Sequence, residues 1–217
     1  EIKRKMSVLG YELKVQMLNA NDYEVPQDRH RVFIVGYHKR LRDALGGKSF
    51  EFPEKVTPSF NIPSLEDDEL GIRDLAESAM PAIQKSKPNP RTKIANHEYM
   101  TGGHSSIFMS RNRVRSWDEP SFTIQAGGRH APLHPSAPKM TKVRKDVFEF
   151  KKGKEKAYRR LSVRECARIQ TFPNDFEFIY KDLNDGYKMI GNAVPVNLAY
   201  HVAKAIYKDV KASGLTA

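Results

Sequence analysis

From residue 11 the chain alternates. Tyr11, Leu13, Val15 and Met17 are apolar, and Glu12, Lys14 and Gln16 between them are polar. A strict period of two predicts a strand with one buried face. Ahead of it, Glu1 to Leu9 run into Gly10, a favoured C-terminal cap, and are expected to be the tail of a helix. A second strand is predicted at Val32-Phe33-Ile34-Val35, where a continuous apolar run suits burial on both sides, with Asn19 to Gln27 as the turn between. Residues 40–100 carry Pro53, Pro58, Pro63, Pro81, Pro88 and Pro90, which break any long element. Residues 101–135, rich in Gly, Ser, Arg and His, offer only short strand-like pieces. Helical spacing returns twice. Ser162 and Glu165 read as a capping box, after which Val163, Cys166, Ala167 and Gln170 share one face. Pro195 then opens a helix with Ala199, Val202, Ala203, Ile206, Tyr207 and Val210 as its apolar stripe.

With 217 residues and 39% hydrophobic positions, one large domain or two small ones can hold a real core. A net charge of +11 is the footprint of a protein that meets phosphates. It is unevenly spread. Residues 139–160 hold ten Lys/Arg and three Asp/Glu, with Phe148, Phe150 and Tyr158 interleaved, whereas residues 64–80 hold six Asp/Glu and one Arg. Either one region faces a polyanion while the other faces away, or both are solvated faces of opposite sign. One cysteine excludes a disulfide framework, and no run of about 18 apolar residues exists to span a membrane. No leader opens the sequence, so an intracellular protein is expected. A chain that starts inside a helix without an initiator methionine is expected to be a fragment or a processed piece.

Cys166 could be a nucleophile or a packed apolar side chain, and its small, apolar helical neighbours favour packing. Gln27, Arg29 and Arg31 occupy alternate positions just before the second strand and would project to one side of an extended chain. Two guanidiniums and an amide there could hold an anion or a carbonyl oxygen, or form a solvated edge. Gly191-Asn192 reads as a turn exposing backbone amides before a helix, able to hold an anionic group or an opposing loop. His130 and His134 are four apart with Pro132 between them and no cysteine cluster nearby, so no metal site is expected.

Three blocks, Q-D-R-H-R at 27–31, R-R-L-S-V-R-E-C-A-R-I-Q-T-F-P at 159–173 and Y-K-M-I-G-N-A-V-P at 187–195, resemble the last three sequence blocks of the bacterial DNA cytosine-5 methyltransferases, in the family's order. The variable stretch between the first two is where that family keeps its target-recognition segment. Within it, I-F-M-S-R-N-R-V-R at 107–115 and Q-A-G-G-R at 125–129 resemble the GGCC-specific, restriction-modification members. The resemblance implies S-adenosylmethionine as methyl donor and double-stranded DNA as partner. It also implies that the family's Pro-Cys nucleophile loop, Glu-Asn-Val block and glycine-rich donor loop, none of which is in this sequence, belong to an N-terminal catalytic half on the same or a separate chain. Cys166 is then not the nucleophile.

Carried over residue by residue, the resemblance gives Arg31 the flipped cytosine's O2 and Arg29 the support of that pocket and of a nearby phosphate. Asn192 and the backbone of Ala193 and Val194 would line the donor site and brace the nucleophile loop of the other half. Ile107 would fill the gap left by the flipped base, unless it is an ordinary core isoleucine. A GGCC duplex presents four guanines, and arginine is the commonest specific partner of guanine. Arg111, Arg113 and Arg115 would line one face of an extended segment, with Asn112 and Val114 opposite. Arg111, Arg113 and Arg129 are expected to read bases, Arg115 to meet phosphate, and Gln125 to read or support. The Gly127-Gly128 pair before Arg129 would let backbone approach DNA closely. Pairing of these arginines with Asp118 and Glu119 is the structural alternative.

The expected fold is α/β: an incomplete, Rossmann-like methyl-donor-binding sheet remnant plus a smaller, mixed, irregular target-recognition domain. Residues 1–40 would be the last strands of the large catalytic domain, 41–183 the recognition domain, and 184–217 a helix returning to the large domain. The expected function is the recognition half of a GGCC-directed methyltransferase, inactive alone, in a bacterial cytoplasm at the nucleoid. The alternative is a sequence-specific DNA-binding module without catalysis. A basic scaffold of degenerate ancestry is disfavoured because Gln27, Arg29, Arg31 and Asn192 all remain.

Overall fold

The computed structural model describes residues 1–56, 72–73, 75–84 and 86–215. Its elements run α1 (Ile2–Val8), β1 (Tyr11–Asn19), β2 (His30–His38), α2 (Lys39–Ala44), β3 (Met80–Pro81), β4 (Glu98–Tyr99), β5 (Thr141–Arg144), β6 (Val147–Glu149), α3 (Val163–Ile169), α4 (Leu183–Asn192) and α5 (Val196–Ala212). Among the described residues the strands pair only as three two-stranded ribbons. The acidic run 66–69, Asp74, Pro58 and Pro63 lie outside the described residues.

β1 and β2 form an antiparallel hairpin in register from Tyr11↔His38 to Asn19↔His30. Both strands fall where the pattern puts them, but the covered face is the other one. Leu18, Phe33, Val35 and Tyr37 pack with Tyr23, Val25, Phe50 and, from α5, Leu198 and Val202. Val15, Met17, Val32 and Ile34 share the opposite face, where Met17 is 62% and Val32 57% exposed. All four are exposed, so the expectation that 32–35 is buried on both sides is not met. The buried line of α5 is likewise shifted. It runs through Leu198, Val202 and Asp209, while Tyr207 is exposed. Asp209 tolerates burial because it accepts from Tyr37 Oη at 2.9 Å and from Lys48 Nζ at 2.7 Å.

A second core joins α3 and α4 to Ile72, Met100, Ile124 and Leu161. Every residue of α3 is buried, and its capping box is complete: Ser162 Oγ accepts from the Glu165 amide, and the Glu165 carboxylate accepts from the Ser162 amide. Glu165 is fully buried and held ionised by the Arg159 fork at 2.7 and 2.8 Å. Two buried histidines flank it. Burial pushes the pKa of His134 down to about 4 and that of His97 below the usual range, so both stay neutral beside the pair. Cys166 is buried, and burial raises its thiol pKa well above the ordinary value. It is a packing residue. A third core of Phe108, Val114, Leu133, Ala137, Met140 and Tyr158 lies under the β5–β6 hairpin, whose Lys142, Arg144 and Lys145 face outward.

The packing divides the chain differently from the expected boundaries. Phe50 and Phe52 join the hairpin core, and α4 joins the core of α3. The chain rejoins the hairpin core with α5, through Leu198 and Val202.

Candidate nucleic-acid interface

The segment 26–29 is stitched to 121–124. Ser121 N donates to Pro26 O at 2.9 Å, Asp28 N to Ser121 O at 2.9 Å, and Thr123 Oγ1 to Asp28 O at 2.6 Å. Gln27 and Arg29 are thereby drawn inside. Arg29 donates from Nη1 to Ile124 O at 3.0 Å, and from Nη2 to Gly191 O at 2.7 Å and Ala193 O at 3.0 Å. Burial, with the nearby Arg31 charge, lowers its pKa to about 10, which still leaves it cationic near neutrality. The expectation that Arg29 supports a phosphate is corrected: its guanidinium is spent on three carbonyls and joins three elements. Arg31, by contrast, is exposed, with only Nη1 engaged, on His30 O at 2.7 Å. The two guanidiniums thus differ in setting, one enclosed and one open to solvent.

Gly191 and Asn192 are not a free turn but the last turn of α4, which Asp182 caps at its start. The Ala193 amide donates to Met189 O and Ile190 O and is closed to an anion. Of the two readings, the opposing loop is the one seen. A Cβ on Gly191 would come within 2.5 Å of Ala126 Cα and closer still to the Ala126 nitrogen. Asn192 and Val194 remain exposed.

Arg111, Arg113, Arg115 and Gln125 do share one cleft of about 270 Å³, whose walls include Asp28, Phe122, Thr123 and His130. Their states differ. Arg111 is exposed. Arg115 lies 3.4 Å from Glu119 with its guanidinium 4.2 Å over the Phe122 ring. Glu119 is a firm anion, its pKa held near 2 by the Ser116 hydroxyl and amide and by Lys139. Arg113 is buried, donating from Nε to Phe108 O at 2.7 Å and from Nη2 to Ile107 O at 2.8 Å. Burial, with Arg111 nearby, lowers its pKa. Ile107 is 71% exposed and is no core residue. Arg129 stands apart in a second cavity of about 770 Å³ with Gly102, Gly103, His104, Arg160 and Asn184, on the other side of the 125–130 loop. Gly128 packs inward. It is buried, a Cβ there would strike Tyr187 and Met100, and its amide donates to Asn184 Oδ1 at 3.1 Å.

The sequence reading missed the inward arginines of the second block. Arg160 donates to Met100 O, Gly102 O and Gly103 O, and Arg164 to Ala95 O, Pro173 O and Phe176 O, fastening loops on both sides of α3. Tyr187 Oη donates to Leu161 O at 2.6 Å and accepts from Met100 N at 3.2 Å. The available signal was arginines outnumbering acids inside an apolar block: guanidiniums there must find carbonyls. Among the described residues no group of three His, Cys, Asp or Glu is placed to hold a metal, and no helix is long and apolar enough to cross a membrane.

The whole is a mixed α/β, methyltransferase-like fold. Entamoeba histolytica EhMeth superposes with a TM-score of 0.52 at 12% identity, over 96% of this chain and 57% of that one. Schizosaccharomyces pombe Dnmt2 superposes at 0.51 and 13%, over 97% and 61%. The chain belongs to the C-5 cytosine-specific DNA methylase family, whose profile matches residues 1–208. It is 55% identical over 204 residues to the type II methyltransferase M.MthTI of Methanothermobacter thermautotrophicus, covering 94% of this chain and 58% of that protein. Against M.FnuDI of Fusobacterium nucleatum the identity is 51% over 207 residues, with 95% and 58% covered. Against M.NgoPII of Neisseria gonorrhoeae it is 49% over 205 residues, with 93% and 57% covered. The chain thus spans a little under three fifths of the length of these relatives.

Proposed function

We propose that this chain is the target-recognition portion of a cytosine-5 DNA methyltransferase that reads a GGCC-type site in double-stranded DNA. It acts with an N-terminal catalytic half in a bacterial cytoplasm, and it transfers no methyl group without that half. The observation that carries the reading is the arginine cleft. Arg111, Arg113, Arg115 and Gln125 line one wall system that is hydrogen-bonded, through 26–28 and 121–123, to the strand bearing Arg31. The cleft, read here as the base-reading surface, is thereby tied to the strand of Arg31, whose exposed guanidinium suits a cytosine O2. Arg111 and Arg129, exposed on either side of the 125–130 loop, are the first readers. Arg113 adds its remaining Nη1, and Arg115, steered by Glu119, meets phosphate.

Of the catalytic steps, this chain supplies orientation. Arg31 donates to O2 of the extruded cytosine and stabilises charge arriving on the ring as the missing half's thiolate adds. Arg29 keeps that strand, the 124 loop and the end of α4 in fixed relation. S-adenosylmethionine supplies the electrophilic methyl group when bound. The residues here fit one wall of its site: the Asn192 amide and Val194 side chain are exposed, and Asn192 borders an apolar surface with Ile179 and Met189. Ala193, its amide and carbonyl both engaged, contributes shape only. In the methyltransferase carrying this chain, Arg111→Ala should lower the preference for GGCC over a scrambled duplex by about 1–3 kcal/mol. Equal loss on both duplexes would refute base reading and favour a binding module held by phosphates.

A further inference from the structure

Ile107 and Phe108 are adjacent apolar residues with opposite fates. Phe108 is fully buried while Ile107 is 71% exposed. Whether Ile107 keeps facing water beside a seated Phe108 depends on how firmly the backbone of the two residues is held. The structure supplies that restraint from two sides. Arg113 holds the carbonyls of both residues with one edge of its guanidinium, Nη2 on Ile107 O and Nε on Phe108 O. The same group lies over the Phe108 ring, 4.8 Å from its centroid, and Arg160 approaches the ring at 5.8 Å. Arg160 fixes the start of the loop through Met100 O at 3.3 Å, Gly102 O at 3.1 Å and Gly103 O at 2.9 Å. The His104 ring, kept neutral by burial with a pKa of about 4, closes the seat at 4.6 Å.

The anchors are themselves rigid. Arg113 N donates to Met140 Sδ at 3.3 Å, and its carbonyl accepts from Leu133 N at 3.1 Å. Inside the loop, Phe108 N donates to Ser105 Oγ, Met109 N to Ser105 O, and Ser110 Oγ to Ile107 O. The hydrogen bonds of the two guanidiniums to this loop all end on backbone carbonyls.

We propose that Arg113 and Arg160 are positioning residues that preassemble the 102–110 loop with Ile107 standing clear as an apolar wedge, and that Arg113 shares one guanidinium between this brace and the recognition cleft. The inference rests on the reading above, that the chain engages a duplex from which a cytosine is extruded. Apolar wedges that occupy a vacated stack are a known device of DNA-bending and base-extruding proteins, and a preformed wedge avoids ordering a loop at the moment of extrusion. Sharing Arg113 couples the two events. A base that pulls its free Nη1 out of line also loosens the carbonyls holding the wedge.

The test uses the methyltransferase carrying this chain, with Ile107→Ala, Arg113→Lys and Arg160→Lys. Single-turnover methylation is measured on a GGCC duplex and on one with inosine opposite the target cytosine. Inosine keeps the major-groove N7 and O6 of guanine but weakens the pair, so it relieves a defect in extrusion and not one in base reading. Each variant should be roughly tenfold slower on the normal duplex; Ile107→Ala and Arg160→Lys should recover most of that loss on the inosine duplex, and Arg113→Lys, which also disturbs the recognition cleft, only part of it. Amide exchange of Phe108 and Met109 should rise in both arginine variants and not in Ile107→Ala. If only Ile107→Ala is rescued, or if exchange is unchanged, the brace is overturned and the wedge stands. If Ile107→Ala loses nothing, the wedge reading itself fails, and with it the proposal.

Discussion

Gly191→Ala isolates the contact on which the site's geometry turns. Gly191 has no left-handed backbone angle, so alanine fits its dihedrals and would, in a helix, contribute up to about 1 kcal/mol. The obstacle is steric and cannot rotate away. The new Cβ would lie 2.5 Å from Ala126 Cα and nearer to the Gln125 carbonyl carbon and Ala126 nitrogen, all backbone atoms. Overpacking against side chains costs about 1–3 kcal/mol, and three backbone contacts put this position at the upper end. The net expectation is a loss of about 2 kcal/mol, which for a chain of this size lowers Tm by about 4–8 °C. Gln125 moves with the displaced loop, and the 2.7 Å bond from Arg29 Nη2 to Gly191 O is disturbed, so site preference should fall as well. Differential scanning calorimetry of the chain reads the first effect. Gly103→Ala, with nothing within 4 Å of its Cβ, is the control. A Gly191→Ala melting point within about 1 °C of the parent would refute the argued contact.

Cys166→Ala should cost on the order of 1 kcal/mol in stability and leave methylation by the complete enzyme intact, and the native thiol should resist alkylation until the chain unfolds; lost turnover without lost stability would contradict this. Stability should fall as pH drops from 6.5 toward 4. In that window the unfolded chain protonates its histidines while His134 and His104, with pKa values of about 4, stay neutral in the fold. For His134 alone the contribution is about 2–3 kcal/mol by pH 4, and Glu165, whose pKa is lowered, adds a further loss once pH falls below its unfolded value. Urea midpoints that do not change across this range would refute it, and His134→Gln should reduce the slope. Lys151→Ala and Lys152→Ala, on the exposed basic stretch, should weaken binding to GGCC and scrambled duplexes alike and flatten the salt dependence, as read by fluorescence anisotropy at several salt concentrations.

What the sequence makes legible is local. The capping box needs only Ser162 and Glu165 at the right spacing, and the hairpin needs only alternation followed by an apolar run. The face of the hairpin was not legible, because apolarity at Val15 and Val32 says that a surface seeks cover and not which segment provides it. Gly191-Asn192 has turn chemistry, yet tertiary packing of Tyr187 and Ile190 and the Asp182 cap carry the helix through it. The arginines divide most sharply. Arg111 and Arg115 reach the cleft as their alternation suggests, whereas Arg29, Arg160 and Arg164 turn inward. Carbonyl acceptors leave no trace in the letters of a sequence, so nothing at 103, 124 or 193 announces the guanidinium that will bind there.

That anonymity of the acceptor has an evolutionary consequence. Arg29 grips Ile124, Ala193 and Gly191, and Arg160 grips Met100, Gly102 and Gly103, only through atoms that every amino acid possesses. Residues at several of these positions can drift without breaking the bolt, so the loops around the cleft are free to trade side chains while their backbones stay in place. New target sequences can then be explored by substitution at the rim, on a frame that does not need to be rebuilt each time.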